Sequence, residues 1–143
     1  MASAYLGVLK GIVSGCGSLN THCRYGIFAL HERSVDMNNT ISYQKAMEIA
    51  AQFAKHVRDE LDPQAEIYLF GSIVRNENGP TSDIDIAVVS RVFTNNVCDN
   101  YAIVNLLAYD INDNIDAQAI IYEDWVDQTP FTATVQRQGV LAG

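Results

Sequence analysis

Asp83 and Asp85 lie one residue apart in a run that alternates acidic and apolar side chains through Ile84 and Ile86. On an extended chain, side chains two apart share a face, so the carboxylates project together and the isoleucines go to the opposite side. Two such charges about 4 Å apart repel by roughly 4 kcal/mol at an effective dielectric of about 20, a large share of a domain's net stability. A divalent cation is the natural counter-charge. Oxygen-only ligands suit Mg2+ or Mn2+, which keep positions open for water and phosphate oxygens. Upstream, Leu69-Phe70 runs into Gly71-Ser72, with Arg75 three residues past the serine. A glycine turn directly after a strand offers backbone N–H groups and a hydroxyl with no side chain at closest approach, which favours a phosphate. Arg75 would share the face of such a turn with Ser72, and fits equally as a neutraliser of anionic oxygens or as an ion-pair partner of Glu77. A polyphosphate grip beside a metal grip describes a nucleotide site.

Positioning these groups requires a frame, and from Met37 onward the chain supplies one. Thr40 or Ser42 can cap a helix whose apolar positions Met47, Ile49, Ala50, Phe53, Ala54, Val57 and Leu61 recur at helical spacing until Asp62-Pro63. Glu66 to Phe70 and Ser82 to Val89 read as strands, a helix is expected from Val97 to Ile111, and a third strand from Ile115 to Tyr122. Thr129-Pro130 is a capping residue followed by proline at the first helical position, so a last short helix should run to about Arg137 and stop near Gly139. This order predicts a small α/β or α+β domain, a mixed sheet with helices on one face and the other face left for chemistry. Trp125, Tyr122 and Phe131 fit closure of the core better than a base-stacking platform, and Tyr101 and Tyr109 fit helix packing.

The chain has 143 residues, 48% hydrophobic and 18% charged, enough apolar material for one core. Seventeen acidic against nine basic side chains give a net charge of −8, which argues against general nucleic-acid binding. No apolar run approaches the length of a membrane span. The charge is uneven: residues 1–36 hold three basic and two acidic side chains, residues 37–143 six and fifteen. Residues 1–36 also hold five of the nine glycines and show no periodicity, so they read as a leader segment, poorly ordered or translated from a start upstream of the true one, ahead of a domain at 37–143. Val13-Ser14-Gly15-Cys16 has the form of a lipoprotein cleavage site, but Lys10 interrupts the apolar stretch and no basic cluster precedes it. Cys16, His22, Cys23 and His31 fit no usual zinc spacing. Three cysteines point to free thiols and a cytoplasmic setting, with Cys98 as small packing on a helix face and His56 exposed on the first helix.

Gly71-Ser72, a gap of ten residues, then Asp83-Ile84-Asp85 in a strand resembles the signature of the DNA polymerase beta-like nucleotidyltransferases, and the short chain is similar to their minimal branch. The likeness runs from Met37 to the closing Gln138-Gly139-Val140-Leu141. It implies the nucleotidyltransferase fold, with Gly71, Ser72 and Arg75 at the triphosphate, Asp83 and Asp85 on Mg2+ or Mn2+, and a third carboxylate on a neighbouring strand. Asp116 in Asn114-Ile115-Asp116-Ala117 fits that position, as base or second-metal ligand, with Asp110 and Asp113 close by. Where family members commonly carry a small residue before the arginine and glycine after it, this chain has Val74 and Asn76. The implied reaction moves a nucleoside monophosphate, AMP first among them, from a nucleoside triphosphate to an acceptor hydroxyl. The minimal branch also resembles antitoxin-like modules that act by complex formation with a helical HEPN-type partner; that role and a homodimer stay open.

Overall fold

The computed structural model describes residues 40–143. The expected leader at 1–36 and the set Cys16, His22, Cys23 and His31 lie outside the described residues. Ser42 starts the first helix, α1 (Tyr43–Glu60), its side chain accepting the Lys45 N–H at 3.2 Å. Ala46, Ile49, Ala50, Phe53, Ala54 and Val57 form the buried stripe that helical spacing predicts. After Pro63 the chain enters β1 (Glu66–Leu69), crosses a polar loop into β2 (Ile84–Ser90), and rises through α2 (Val97–Ile111) into β3 (Ile115–Ile121). Two short helices, α3 (Tyr122–Asp127) and α4 (Pro130–Gln138), lead to a two-residue strand, β4 (Val140–Leu141).

The sheet order is β3-β2-β1-β4. β1 is antiparallel to both β2 and β4, while β2 and β3 run parallel, joined through α2. The sheet is therefore mixed and the domain α+β. Ile67 and Leu69 of β1, Ile84, Ile86 and Val88 of β2, and Ile115 and Ala117 of β3 meet α1 and α2 in the main core. Phe53 is fully buried there, and cutting it to alanine should cost about 3–5 kcal/mol.

The opposite face is not bare. A second cluster of Ala87, Val89, Ile120 and Val135, flanked by Tyr68, Phe70, Tyr122 and Trp125, lets α3 and α4 cover part of it. Periodicity does not foreshadow α3: it buries no residue and has no side-chain cap, and Gln128 ends it at φ 53°. β4 is equally invisible in the sequence, since two residues carry no period; it is pinned by Leu69↔Val140 and Tyr68↔Leu141. Among the described residues no helix is long and apolar enough to cross a membrane. Cys98 lies in the first turn of α2, and the other two cysteines lie outside the described residues.

Candidate active site

The outward face of the sheet carries one row across three strands. Leu69 pairs with Ile86, so the next position sets Phe70 opposite Asp85, with the Phe70 N–H donating to the Asp85 carbonyl at 3.0 Å. In the parallel ladder Asp85 pairs directly with Asp116. Ile84 and Ile115, one residue earlier, are buried on the other face, so both carboxylates look outward. Asp116 is thus the acid that the register brings to Asp85. Asp113 is exposed in the preceding turn, and Asp110 lies 3.4 Å from His56 Nε2, which makes His56 half-buried rather than exposed. Asp83 precedes β2 by one residue and is half-buried.

Gly71 could be nothing else without rearrangement. Its φ is +81°, and a Cβ there would stand 2.1 Å from Asp85 Oδ2. The next backbone N–H, from Ser72, hydrogen-bonds the Asp85 carboxylate. Beyond it the chain makes a single helical turn, with Arg75 N–H on Gly71 O at 3.2 Å and Glu77 N–H on Ser72 O at 2.8 Å. Asn76 ends that turn at φ 58°, the left-handed region that glycine prefers and asparagine tolerates. Asn76 therefore fills a backbone position that would suit glycine. The Arg75 side chain is exposed and pairs with Glu77, Nε to Oε2 2.7 Å, so of its two expected roles the ion pair is the one formed. Arg75 still acts on Asp85 through space.

Burial pushes the Asp85 carboxyl up from 3.8 to about 6, and the negative charges of Asp116 and then Asp83 add to the effect. Arg75 and the Ser72 N–H pull the other way. The three acids form one electrostatic unit centred on Asp85.

Two residues that position this unit carry no signal in the sequence. Gln118 lies two along from Asp116 on the same face, and its Nε2 donates to Asp116 Oδ1 at 3.1 Å. Asn105, only 4% exposed on the buried side of α2, donates to Ala117 O at 2.8 Å and accepts the Ala117 N–H at 3.1 Å. β3 is an edge strand, and that clamp satisfies the outward-facing backbone of the residue next to Asp116.

Among the described residues, no group of three or more His, Cys, Asp or Glu side chains is gathered tightly enough to hold a metal ion unaided. The donor set nonetheless fits a hard cation. It is all oxygen, it includes two directly paired carboxylates, and the crowded negative charge that raises Asp85 is what a divalent ion would relieve. Mg2+ is commonly held by one or two carboxylates with substrate phosphates and water supplying the rest, so a complete protein cage is not required.

Fold and site together define an α+β domain with an acidic centre at one end of its sheet. The family model of the nucleotidyltransferase domain matches residues 50–134, more than half of the sequence, and the chain belongs to that family. Transfer of a nucleoside monophosphate is the general chemistry of that domain. Among solved structures, the chain is similar to a candidate nucleotidyltransferase from Sulfolobus solfataricus, with 25% sequence identity, 73% of this chain and 89% of that one covered, and a TM-score of 0.47. No curated protein matches the chain.

Proposed function

We propose that this domain transfers a nucleoside monophosphate, AMP by preference, from its triphosphate to an acceptor hydroxyl, with Asp83, Asp85 and Asp116 as the catalytic acids. The observation that carries the reading is the direct pairing of Asp85 with Asp116 beneath the Gly71-Ser72 turn. Asp83, Asp85 and Asp116 would hold Mg2+ or Mn2+, which when bound neutralises charge developing on the attacking and departing oxygens. Gly71 and Ser72 present backbone N–H and hydroxyl donors to the phosphates, and Arg75 adds positive charge at the loop. Asp116 takes the proton of the acceptor hydroxyl, whose oxygen attacks the α-phosphorus in line. The new oxygen–phosphorus bond forms as the α–β bridge breaks, and pyrophosphate leaves with its electron pair. Gln118 and Asn105 keep the Asp116 carboxylate turned toward that proton.

The net charge of −8 disfavours general nucleic-acid binding, so of the three acceptor classes a small molecule or a protein side chain suits the domain better than a nucleic-acid end. Among the described residues no second lobe stands over the acids, which leaves room for the acceptor to arrive on another chain. A helical HEPN-type partner is the class that the sequence resemblance names. The test is incubation with α-labelled ATP, Mg2+ and a cell lysate. Label should appear on one acceptor and vanish with Asp85→Asn or Asp116→Asn; undiminished labelling by Asp85→Asn overturns the assignment.

A further inference from the structure

The aromatic side chains after β3 do not form one core-closing group. Tyr68 and Trp125 stack at 4.9 Å with planes tilted by 32°, against the second apolar cluster. Phe131 stands apart. It packs edge-on to Phe70, with centroids 5.8 Å apart and planes at 75°, and 45% of it remains exposed. A single exposed phenylalanine needs no explanation by itself; its neighbours make this one informative. Phe70 immediately precedes Gly71 and lies opposite Asp85, so it flanks the acid site on the β1 side, with Phe131 packed edge-on against it. Behind Phe131, α4 is tied to α3, with Thr132 Oγ1 donating to the Asp124 carbonyl at 2.9 Å. The exposed side chains of Glu123, Asp124 and Asp127 on α3 repel a phosphate from that flank, whereas a flat uncharged ring meets no such barrier.

We infer that Phe131, backed by Phe70, is the stacking surface for the nucleobase of a triphosphate whose phosphates lie at Gly71-Ser72. The inference rests on the transfer reaction proposed above and adds the side chain that would hold the base of its nucleotide. Stacking on an aromatic ring tolerates any base, because every base has a π face. Purines, with the larger face, should bind more tightly than pyrimidines.

Titration calorimetry of the full chain in Mg2+ with two probes, ATP and inorganic tripolyphosphate, tests this. Phe131→Ala should weaken ATP binding about tenfold, the low end of the stacking range, and leave tripolyphosphate binding unchanged. Phe131→Trp should restore ATP affinity and show fluorescence quenching by ATP, beyond that of the wild-type protein, that tripolyphosphate does not produce. The exposed ring makes the alanine variant compatible with folding; should that variant fail to fold, the tryptophan variant alone decides, since an absent ATP-specific quench with tripolyphosphate still bound overturns the stacking role. Equal loss of both probes, or loss of neither, also overturns it and leaves the phosphate site standing. If the wild-type protein binds neither probe, the transfer reading falls, and the stacking surface with it.

Discussion

Removing the charge of Asp85 should make the metal-free domain more stable. In the folded protein the Asp85 carboxyl titrates at about 6 against 3.8 as a free group, chiefly through burial and secondarily through Asp116 and Asp83. A raised acid pKa means that the folded state holds the proton more tightly than the unfolded chain does. Stability is therefore complete below about pH 3.8 and is lost as pH rises through about 6, above which the charged form is penalised in full. At 1.36 kcal/mol per pH unit the ceiling is about 3 kcal/mol, and solvent screening at this half-exposed carboxylate reduces it to about 1–2 kcal/mol. Asp85→Asn keeps an oxygen for the Ser72 N–H and escapes the penalty.

The assay is thermal unfolding of both proteins in EDTA, scanned from pH 4 to 8. At pH 7.5 the variant should melt roughly 5–10 °C above the wild type, and the gap should close as the pH falls toward 4. Added Mg2+ should raise the wild-type midpoint by binding the native acids and should raise the variant less, so the gap narrows. A variant less stable than wild type at pH 7.5 in EDTA, or a gap that does not change with pH, refutes the account of Asp85 as a strained carboxylate awaiting a cation.

Gly71→Ala should lose transfer activity and about 1–3 kcal/mol of stability, read by urea unfolding, because alanine is strained at φ +81° and its methyl would displace the Asp85 carboxylate. Asn105→Ala leaves the Ala117 N–H and carbonyl without their side-chain partner; urea unfolding should report about 2–4 kcal/mol lost, and hydrogen exchange should quicken at Ala117 before the rest of the sheet. Asn76→Gly should be neutral or stabilising by up to about 1 kcal/mol, whereas Asn76→Val should destabilise, since only the first suits φ 58°.

What the sequence discloses is what local physics decides. α1 and α2 announce themselves because apolar spacing and capping are short-range signals: Ser42, one of the two expected caps, accepts the N–H of Lys45, and the stripe from Ala46 to Val57 follows the helical period, while the Asn96 cap of α2 emerges only in the structure. β2 is legible for the same reason, its alternation separating Asp85 from Ile84 and Ile86. Asp116 is not fixed by spacing, since Asp110 and Asp113 satisfy a loose reading equally; only its register with Asp85, a contact across 31 positions of chain, distinguishes it. Asn105 and Gln118 are invisible for a related cause. Each looks like an ordinary polar residue until a non-local backbone or carboxylate supplies its partner. α3 escapes notice because none of its six residues is fully buried and so short a helix leaves no periodic trace. Phe131 does pack, against Phe70, but the 45% of it that stays exposed is decided by the placement of α4 and not by its neighbours in sequence.

The topology explains why the acids meet where they do. β2 and β3 are parallel, so the second residue of each strand falls at the same end of the sheet, and Asp85 and Asp116 become neighbours. β1 runs opposite to β2, which brings its C-terminal exit, Phe70-Gly71-Ser72, to that same end. An antiparallel β2–β3 hairpin would have separated the acids by the length of a strand, and the long connection through α2 is what a parallel pair requires. The repulsion concentrated there lies directly over the main core, where Ile84, Ile86, Ile115 and Ala117 occupy the reverse side of the same backbone. That core holds the strands in register against a charge cluster that would otherwise push them apart. The arrangement has the signature of function set against stability: neutralising an acid should strengthen the apo fold and abolish transfer, whereas thinning the core with Ile86→Ala should weaken the fold by about 2–5 kcal/mol and loosen the spacing of Asp85 and Asp116 together.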